Sequence, residues 1–227
     1  NNHWIDAEAE EFVARYSEQG VQRDLALRVY SSRLLGQEPK LVLHGGGNTS
    51  VKTTATDMLD EEVNVLHVKG SGWDMAHIEP QGLPAVRMAP LMKLRTLNAL
   101  SDEEMVNAQR LSLLDSTAPN PSVETLLHAY LPHKYVDHTH AVPVLSLSDQ
   151  PDGEQLCRDV FGDRVGIVEY IMPGLQLAKA AAAVFELGPE VEGLILLKHG
   201  IFTFGADARE AYDRMIELVT LAEAHLE

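Results

Sequence analysis

The feature that most constrains the fold is the alternation of short β-type runs with helix-type segments along the whole chain. Runs rich in β-branched residues, such as "VNVLHV" and "VGIVEYI", are separated by segments with helical periodicity, such as "LQLAKAAAAVFEL". Interleaved strands and helices predict one sheet with helices on its faces, which is the α/β class. Several links between strands are too short for a crossover helix, so we expect a mixed sheet with antiparallel pairs.

The helical pattern is strongest near the two ends and in the middle of the chain. It predicts helices over residues 6–18, 22–35, 89–100, 102–114 and 207–226. Ser101 and Glu104 have the spacing of a capping box at the start of one of them. The run "KYVDHTHAVPV" is predicted to be a strand, and "LILLKHGIFTF" to be two strands that meet at His199 and Gly200.

Length and composition predict one domain over 1–227 that acts on a small molecule. The chain has 227 residues, and acidic residues outnumber basic ones by 34 to 18. A net charge of −16 argues against binding to nucleic acid or to an anionic membrane. No apolar run approaches the ~18 residues of a membrane span. The single cysteine, Cys157, is interpreted as a core residue and indicates a reducing compartment, so we expect a cytoplasmic protein.

Three histidines form a candidate metal site. His138 and His140 are one residue apart in a predicted strand, so their side chains point to the same face. His199 follows 59 residues after His140, at a glycine turn that leaves its imidazole free to enter a cleft. Three ligands are the number expected for a catalytic ion with an open position. On spacing alone, structural histidines remain an equal alternative for the pair.

Two other interpretations of the histidine pair fit poorly. A cupin-type iron site needs a glutamate a few residues after the pair, but the next one, Glu154, lies fourteen residues beyond His140. A barrel of the amidohydrolase type would place the pair near its first strand. Only 87 residues follow His140, which is too few for the remaining units of a ~250-residue barrel.

A glutamate and two glycine-rich loops are candidates for catalysis and anion binding. Glu124 lies near the start of the helix that leads to the histidine strand, where it would act either as an acid/base beside a metal ion or as a partner of the helix dipole. The loops at 44–50 and 69–72 can turn several backbone N–H groups toward one oxyanion, with Asn48 and Ser71 as further donors. Most such loops bind nothing, so both interpretations stay open here.

Five motifs in order, "GGGNTS", "KGSG", "NPSVE", "DHTH" and "LLKHG", resemble the class II aldolase/adducin family over essentially all 227 residues. The resemblance implies a three-layer α/β/α sandwich with a mixed, largely antiparallel sheet, assembled as a homotetramer. It implies one Zn²⁺ per chain on His138, His140 and His199, with Glu124 as the catalytic acid/base. The positions that match the family's phosphate-binding residues are Gly47, Asn48, Ser71, Gly72 and Ser122.

Two longer runs, "VKGSGWDMAHIEPQGLPAVRM" and "PNPSVETLLHAYLPHKYVDHTH", are within this family most similar to the aldolase half of bifunctional rhamnulose-1-phosphate aldolase/alcohol dehydrogenases. That likeness implies cleavage of a ketose 1-phosphate, in particular L-rhamnulose 1-phosphate, to dihydroxyacetone phosphate and an aldehyde through a metal-stabilised enediolate. No nucleotide-binding fingerprint occurs in 1–227, so a short-chain dehydrogenase domain, if native, lies outside this chain. A sugar-phosphate 4-epimerase or related lyase and a non-catalytic adducin-like interaction module are the alternatives. Val123 stands where the family often has a hydroxyl residue, which weakens the expected grip on phosphate.

Overall fold

A single sheet of seven strands forms the centre of the molecule, in the order β3-β2-β1-β4-β7-β6-β5. The computed structural model describes residues 1–43 and 46–227. The strands are β1 Asn48–Thr56, β2 Glu62–Val68, β3 Ala85–Arg87, β4 Tyr135–Thr139, β5 Val165–Val168, β6 Gly193–Leu196 and β7 Gly200–Gly205. Among these strands only β5 and β6 pair in parallel, across the helix between them, and the other neighbours are antiparallel. The predicted mixed, largely antiparallel sheet is confirmed.

Helices cover both faces of this sheet. They are α1 Asp6–Ser17, α2 Arg23–Gly36, α3 Met88–Leu94, α4 Asp102–Leu111, α5 Thr125–Tyr130, α6 Val142–Ser148, α7 Gly153–Phe161, α8 Leu175–Leu187 and α9 Ala208–Leu226. On one face, Val136 and Phe202 pack in a core with α3, α4, α5 and α8. On the other face, Ile195 and Ile201 pack in a core with α6, α7 and α9, and α1 and α2 extend that layer. The three-layer α/β/α sandwich is therefore confirmed.

Several predicted elements end earlier than expected, and two of them end early by five residues or more. The helix predicted over 89–100 ends at Leu94. Beyond it the N–H groups of Thr96 and Leu97 bond to carbonyl oxygens three residues back, so the chain tightens into a turn and the α-helical pattern stops. The strand predicted over 134–144 ends at Thr139. The following residues form α6, in which Pro143 occupies the first turn, where the missing N–H costs no helical hydrogen bond.

Three other expectations about local structure are confirmed. The Ser101 hydroxyl accepts a hydrogen bond from the Glu104 N–H at 3.1 Å, so it caps α4 as predicted. Cys157 is a fully buried free thiol in the core. Within the described parts of the chain, none of the helices is both long enough and apolar enough to cross a membrane.

Successive residues of strand β4 point to opposite faces of the sheet, one toward the histidine cluster and the next toward helix α2. Its alternation places His138 on the same face as Val136 and Phe202, with the ring of Phe202 stacked on the imidazole at 4.1 Å between centroids. Asp137 points the opposite way and forms a fully buried ion pair with Arg28 of α2, at 2.6 Å. The strand that carries the histidine pair is thus fixed to the helix layer behind it.

Candidate active site

The three histidines converge from different parts of the sheet. His138 belongs to β4, His140 follows the end of that strand, and His199 lies in the turn between β6 and β7. This turn is tight: Lys198 has a φ of 60°, and a Cβ on Gly200 would lie 2.5 Å from the carbonyl oxygen of Thr139. The close approach brings the turn against the end of β4. His199 is therefore held by the turn rather than by the end of a strand, because β6 already ends at Leu196.

Glu124 completes this cluster from the start of α5. Its Oε2 lies 2.9 Å from Nε2 of His199 and 3.3 Å from Nε2 of His138. One ligand atom from each of the four residues, including His140, lies within 4.8 Å of all the others. Glu124 and His138 are buried, whereas His140 is exposed, so the cluster opens to the outside on one side. The structure thus brings together the four residues predicted to bind metal or transfer protons.

The donor set fits a zinc ion. Nδ1 of His138 lies 3.0 Å from the carbonyl oxygen of Ile201, so this nitrogen carries the ring proton and Nε2 presents a lone pair to the cluster. Nε2 of His140 is 3.1 Å from Nε2 of His138. Ligands at 2.0–2.1 Å around a tetrahedral ion are separated by roughly 3.3 Å, which is close to that distance. Three imidazoles and a carboxylate suit Zn²⁺ better than a hard cation such as Mg²⁺.

The surroundings of the cluster shift the pKa values of His140 and Glu124. His140 is exposed on one side only, and the partial burial of its ring, with His138 as a second cause, lowers the pKa of His140 to about 4, so its imidazole is neutral at pH 7. Burial alone would raise the pKa of Glu124, but the imidazoles of His138 and His199 lower that pKa below its usual range. The contacts with His138 and His199 therefore favour the carboxylate form of Glu124.

A pocket of about 340 Å³ extends from the cluster to the two glycine-rich loops. Glu124 and His140 line one end of it. Four residues predicted to bind phosphate also line it: Gly47, Asn48, Ser71 and Ser122. Gly72, the fifth, is exposed next to Ser71 and has a φ of 84°, which a glycine adopts without strain. Of the loop predicted over 44–50, His44 and Gly45 lie outside the described residues.

Backbone hydrogen bonds join the two sides of the anion end. The Ser71 N–H donates to the carbonyl oxygen of Asn120 at 2.8 Å, and the Ser122 N–H donates to that of Lys69 at 3.0 Å. The Ser122 hydroxyl accepts a hydrogen bond from the Glu124 N–H at 3.1 Å, which leaves its own proton for a ligand. The same hydroxyl therefore contacts the anion end and the backbone of Glu124. Val123 is exposed and lines the pocket, so it offers an apolar contact where the family often has a hydroxyl.

Sequence reasoning missed a cation in this pocket. Lys69 lines it and is only 8% exposed. Burial lowers the pKa of Lys69, and the carboxylate of Asp74 opposes that shift. The signal was present in the sequence as the lysine that precedes "GSG", but the net charge of −16 concealed a local positive site. A buried lysine beside hydroxyl groups is suited to an anionic group.

Comparison with known proteins agrees with this site. Residues 27–226 match the family model described as "Class II Aldolase and Adducin N-terminal domain". The match covers most of the chain, so the protein belongs to the class II aldolase/adducin family. The resemblance inferred from the five motifs is confirmed.

Three relatives show how similar this chain is to known proteins in sequence and fold. The solved N-terminal class II aldolase domain of a conserved protein from Thermoplasma acidophilum is 41% identical, with a TM-score of 0.85 over 90% of this chain and 94% of that one. An L-fuculose-1-phosphate aldolase from Thermus thermophilus shares the fold, at 18% identity and a TM-score of 0.56 over 88% of this chain and 93% of that one. An uncharacterized oxidoreductase, YuxG, from Bacillus subtilis (strain 168) is 37% identical over 87% of this chain. That alignment spans only 29% of YuxG.

Proposed function

We propose that the protein is a zinc-dependent aldolase that cleaves a ketose 1-phosphate, in particular L-rhamnulose 1-phosphate, to dihydroxyacetone phosphate and L-lactaldehyde. One observation carries this proposal: three imidazoles and a carboxylate meet at one end of a pocket that has a buried lysine and hydroxyl groups near its other end. A phosphorylated sugar has a polar carbonyl end and an anionic end, which match these two chemistries. The L-fuculose-1-phosphate aldolase among the solved relatives supports this substrate class.

His138, His140 and His199 would hold the zinc ion. When bound, the ion would supply Lewis-acid stabilisation of the negative charge that develops on the substrate oxygens as the C–C bond breaks. Glu124 transfers the proton: its Oε2 faces the cluster, whereas its Oε1 accepts a hydrogen bond from Asn48 at 3.0 Å. Glu124 delivers a proton to the substrate carbon that has lost its C–C bond. The hydroxyl beside the broken bond releases a proton as it becomes the aldehyde carbonyl, so the protons balance over the reaction.

The phosphate would lie at the anion end, against Lys69, Ser71 and Ser122. Lys69 contributes the charge, and the two hydroxyl groups contribute directed hydrogen bonds. The net charge of −16 does not oppose this binding, because salt screens distant charges beyond about 8 Å at physiological ionic strength. The residues of the pocket therefore determine what it binds.

We propose further that the native assembly is a homotetramer in the cytoplasm and that a following short-chain dehydrogenase domain, if native, lies outside residues 1–227. The alignment with YuxG supports the second part, because a protein called an oxidoreductase has a segment 37% identical to this chain within a much longer sequence. Sedimentation of the purified chain tests the tetramer. Sequencing beyond residue 227 of the native protein tests the second domain.

The decisive experiment is an assay of the zinc-loaded chain with a panel of ketose phosphates, with the products identified and chelated enzyme as the blank. Cleavage of 1-phosphates to dihydroxyacetone phosphate and an aldehyde supports the proposal. Interconversion of epimeric sugar phosphates without net cleavage would assign the same site to a 4-epimerase. If the chain binds zinc stoichiometrically but transforms none of the sugars, the interaction module becomes the better interpretation.

A further inference from the structure

A buried row of side chains connects Glu124 to the interior behind the pocket. Nδ2 of Asn48 donates to Oε1 of Glu124 at 3.0 Å, and Oδ1 of Asn48 lies 2.5 Å from Nε2 of His128. Nδ1 of His128 lies in turn 2.6 Å from the hydroxyl oxygen of Ser50. All four residues are buried, and Ser50 and His128 are fully so. Neither of these two residues has a role in the proposed function.

The orientation of the Asn48 amide fixes the direction of every hydrogen bond in this row. The Asn48 amide presents its NH₂ group to Glu124 and its oxygen to His128. His128 must then donate from Nε2, which leaves Nδ1 as an acceptor for the Ser50 hydroxyl proton. Each group donates toward Glu124. If the amide were flipped, the Asn48 side-chain oxygen would face Oε1 of Glu124, and two acceptors would lie against each other.

We infer that His128 is a positioning residue, which orients the Asn48 amide and through it holds Oε1 of Glu124 away from the metal cluster. Glu124 has two equivalent oxygens, and rotation of its carboxylate would exchange them. The bond from Asn48 occupies Oε1, so Oε2 remains beside His138 and His199. The consequence for catalysis rests on the proposed function, whereas the hydrogen-bonded arrangement itself does not.

The surroundings of His128 support a neutral ring with one defined proton. Burial is the first cause that lowers its pKa well below the usual value, and the neighbouring His138 adds to the effect. The ring also packs edge-on against Phe202, at 5.5 Å between centroids. A purely structural role through that packing contact is the competing explanation. It predicts no preferred ring proton and no coupling to Asn48.

Nitrogen NMR of the zinc-loaded chain tests the arrangement without any assay of activity. With ¹⁵N-labelled histidine, His128 is expected to show a protonated Nε2 and an unprotonated Nδ1 from pH 6 to pH 8. The Asn48 side-chain amide is expected to exchange slowly with solvent, and His128→Leu should accelerate that exchange about tenfold or more. His133→Leu is the matched control, because the His133 ring also packs on an aromatic ring, that of Phe204. This control variant should leave the Asn48 signal unchanged. A proton on Nδ1 of His128, or an Asn48 signal that does not respond to His128→Leu, would overturn the inference.

A double-mutant cycle tests the effect on proton transfer. The rate measured is exchange of solvent deuterium into dihydroxyacetone phosphate. His128→Leu should lower the maximal rate about 10- to 100-fold with the zinc content and the KM nearly unchanged. Asn48→Ala should lower the maximal rate by a similar factor without loss of zinc, and the double variant should be no slower than Asn48→Ala alone. His128→Gln, which keeps a donor near the position of Nε2, should recover part of the rate. Additive losses or no rescue would overturn the inference in favour of packing. Absence of exchange by the wild type would refute only the proposed function, and the NMR measurement would still decide the role of His128.

Discussion

The two ends of the pocket are built in different ways. The metal end is formed by side chains. His138, His199 and Glu124 extend from β4, from the β6–β7 turn and from the start of α5, and one ligand atom of each lies within 4.8 Å of the others. At the anion end, two loops face each other, and backbone hydrogen bonds between 69–71 and 120–122 hold them together. One end depends on a few exact side-chain positions, and the other depends on the shape of the main chain.

This difference predicts how each end of the pocket responds when a side chain is substituted. Removing one side chain from the metal end removes a ligand or the proton carrier, and no neighbour can replace it. Removing one side chain from the anion end leaves the backbone and the remaining donors in place. We therefore expect large losses at the metal end and graded losses at the anion end, and the following predictions test that contrast from the largest effect to the smallest.

The largest effect is expected for His138→Ala. The fully buried imidazole provides an Nε2 ligand and packs on Phe202, so its loss should abolish both zinc binding and activity. Metal analysis after dialysis, with a chelator-treated wild type as reference, measures the first result. A variant that retains one zinc per chain would show that the ligand assignment is wrong.

Glu124→Gln is expected to separate metal binding from proton transfer. Glutamine keeps the shape but cannot cycle between acid and base, so the variant should retain zinc and fold while deuterium exchange into dihydroxyacetone phosphate falls at least ~10²-fold. Exchange is the appropriate measurement because it needs the proton carrier but no aldehyde. Unimpaired exchange in the zinc-loaded variant would assign the proton to another residue.

Lys69→Met is expected to weaken the anion end without affecting the metal end. The loss of a charge-assisted contact should raise KM for a ketose 1-phosphate by about 10- to 100-fold, which corresponds to roughly 1.4–2.8 kcal/mol. Zinc content should not change. The unphosphorylated ketose serves as the control substrate, and an equal loss with both substrates would contradict a role in phosphate binding.

Ser71→Ala is expected to have a smaller effect of the same kind. One hydroxyl group is removed while the backbone that frames the loop remains, so KM for the phosphorylated substrate should rise by about 3- to 10-fold, or roughly 1 kcal/mol. Isothermal titration with inorganic phosphate gives an independent measurement. A loss larger than that of Lys69→Met would reverse the predicted order at this end.

The smallest effect concerns a histidine outside both ends. Burial is the main cause that lowers the pKa of His133 to about 4, below the ordinary value of 6.5. The unfolded chain therefore binds a proton there at higher pH than the folded chain. The stability that the neutral ring contributes is complete above pH 6.5 and is lost as pH falls toward 4. In His133→Gln the free energy of unfolding should fall less between pH 7 and pH 4 than in the wild type, by on the order of 1 kcal/mol. Urea unfolding of both proteins over this pH range measures the difference. The same pH dependence in both proteins would show that His133 does not titrate in this range.

The sequence was sufficient to predict the main parts of the fold and the metal end. Alternating strands and helices defined the α/β class, and the His-x-His spacing placed His138 and His140 on one side of a chain segment. These are local properties, because periodicity of side chains follows directly from backbone geometry. The motifs in order then indicated the family, and with it the convergence of His199 and Glu124.

Only the tertiary structure revealed what depends on contacts between distant segments. Lys69 looked like one charge in an acidic chain until the loops at 69–71 and 120–122 met around it. His128 looked like any helical histidine, and its link to Glu124 exists because β1 places Asn48 beside His138 on β4. The carbonyl groups of Leu97 and Asn98, in the part of the predicted helix 89–100 that is not helical, accept hydrogen bonds from side chains of α8. Local pattern determines which way a side chain points along its own element, whereas hydrogen-bond partners and burial are set by the packing of elements far apart in the sequence.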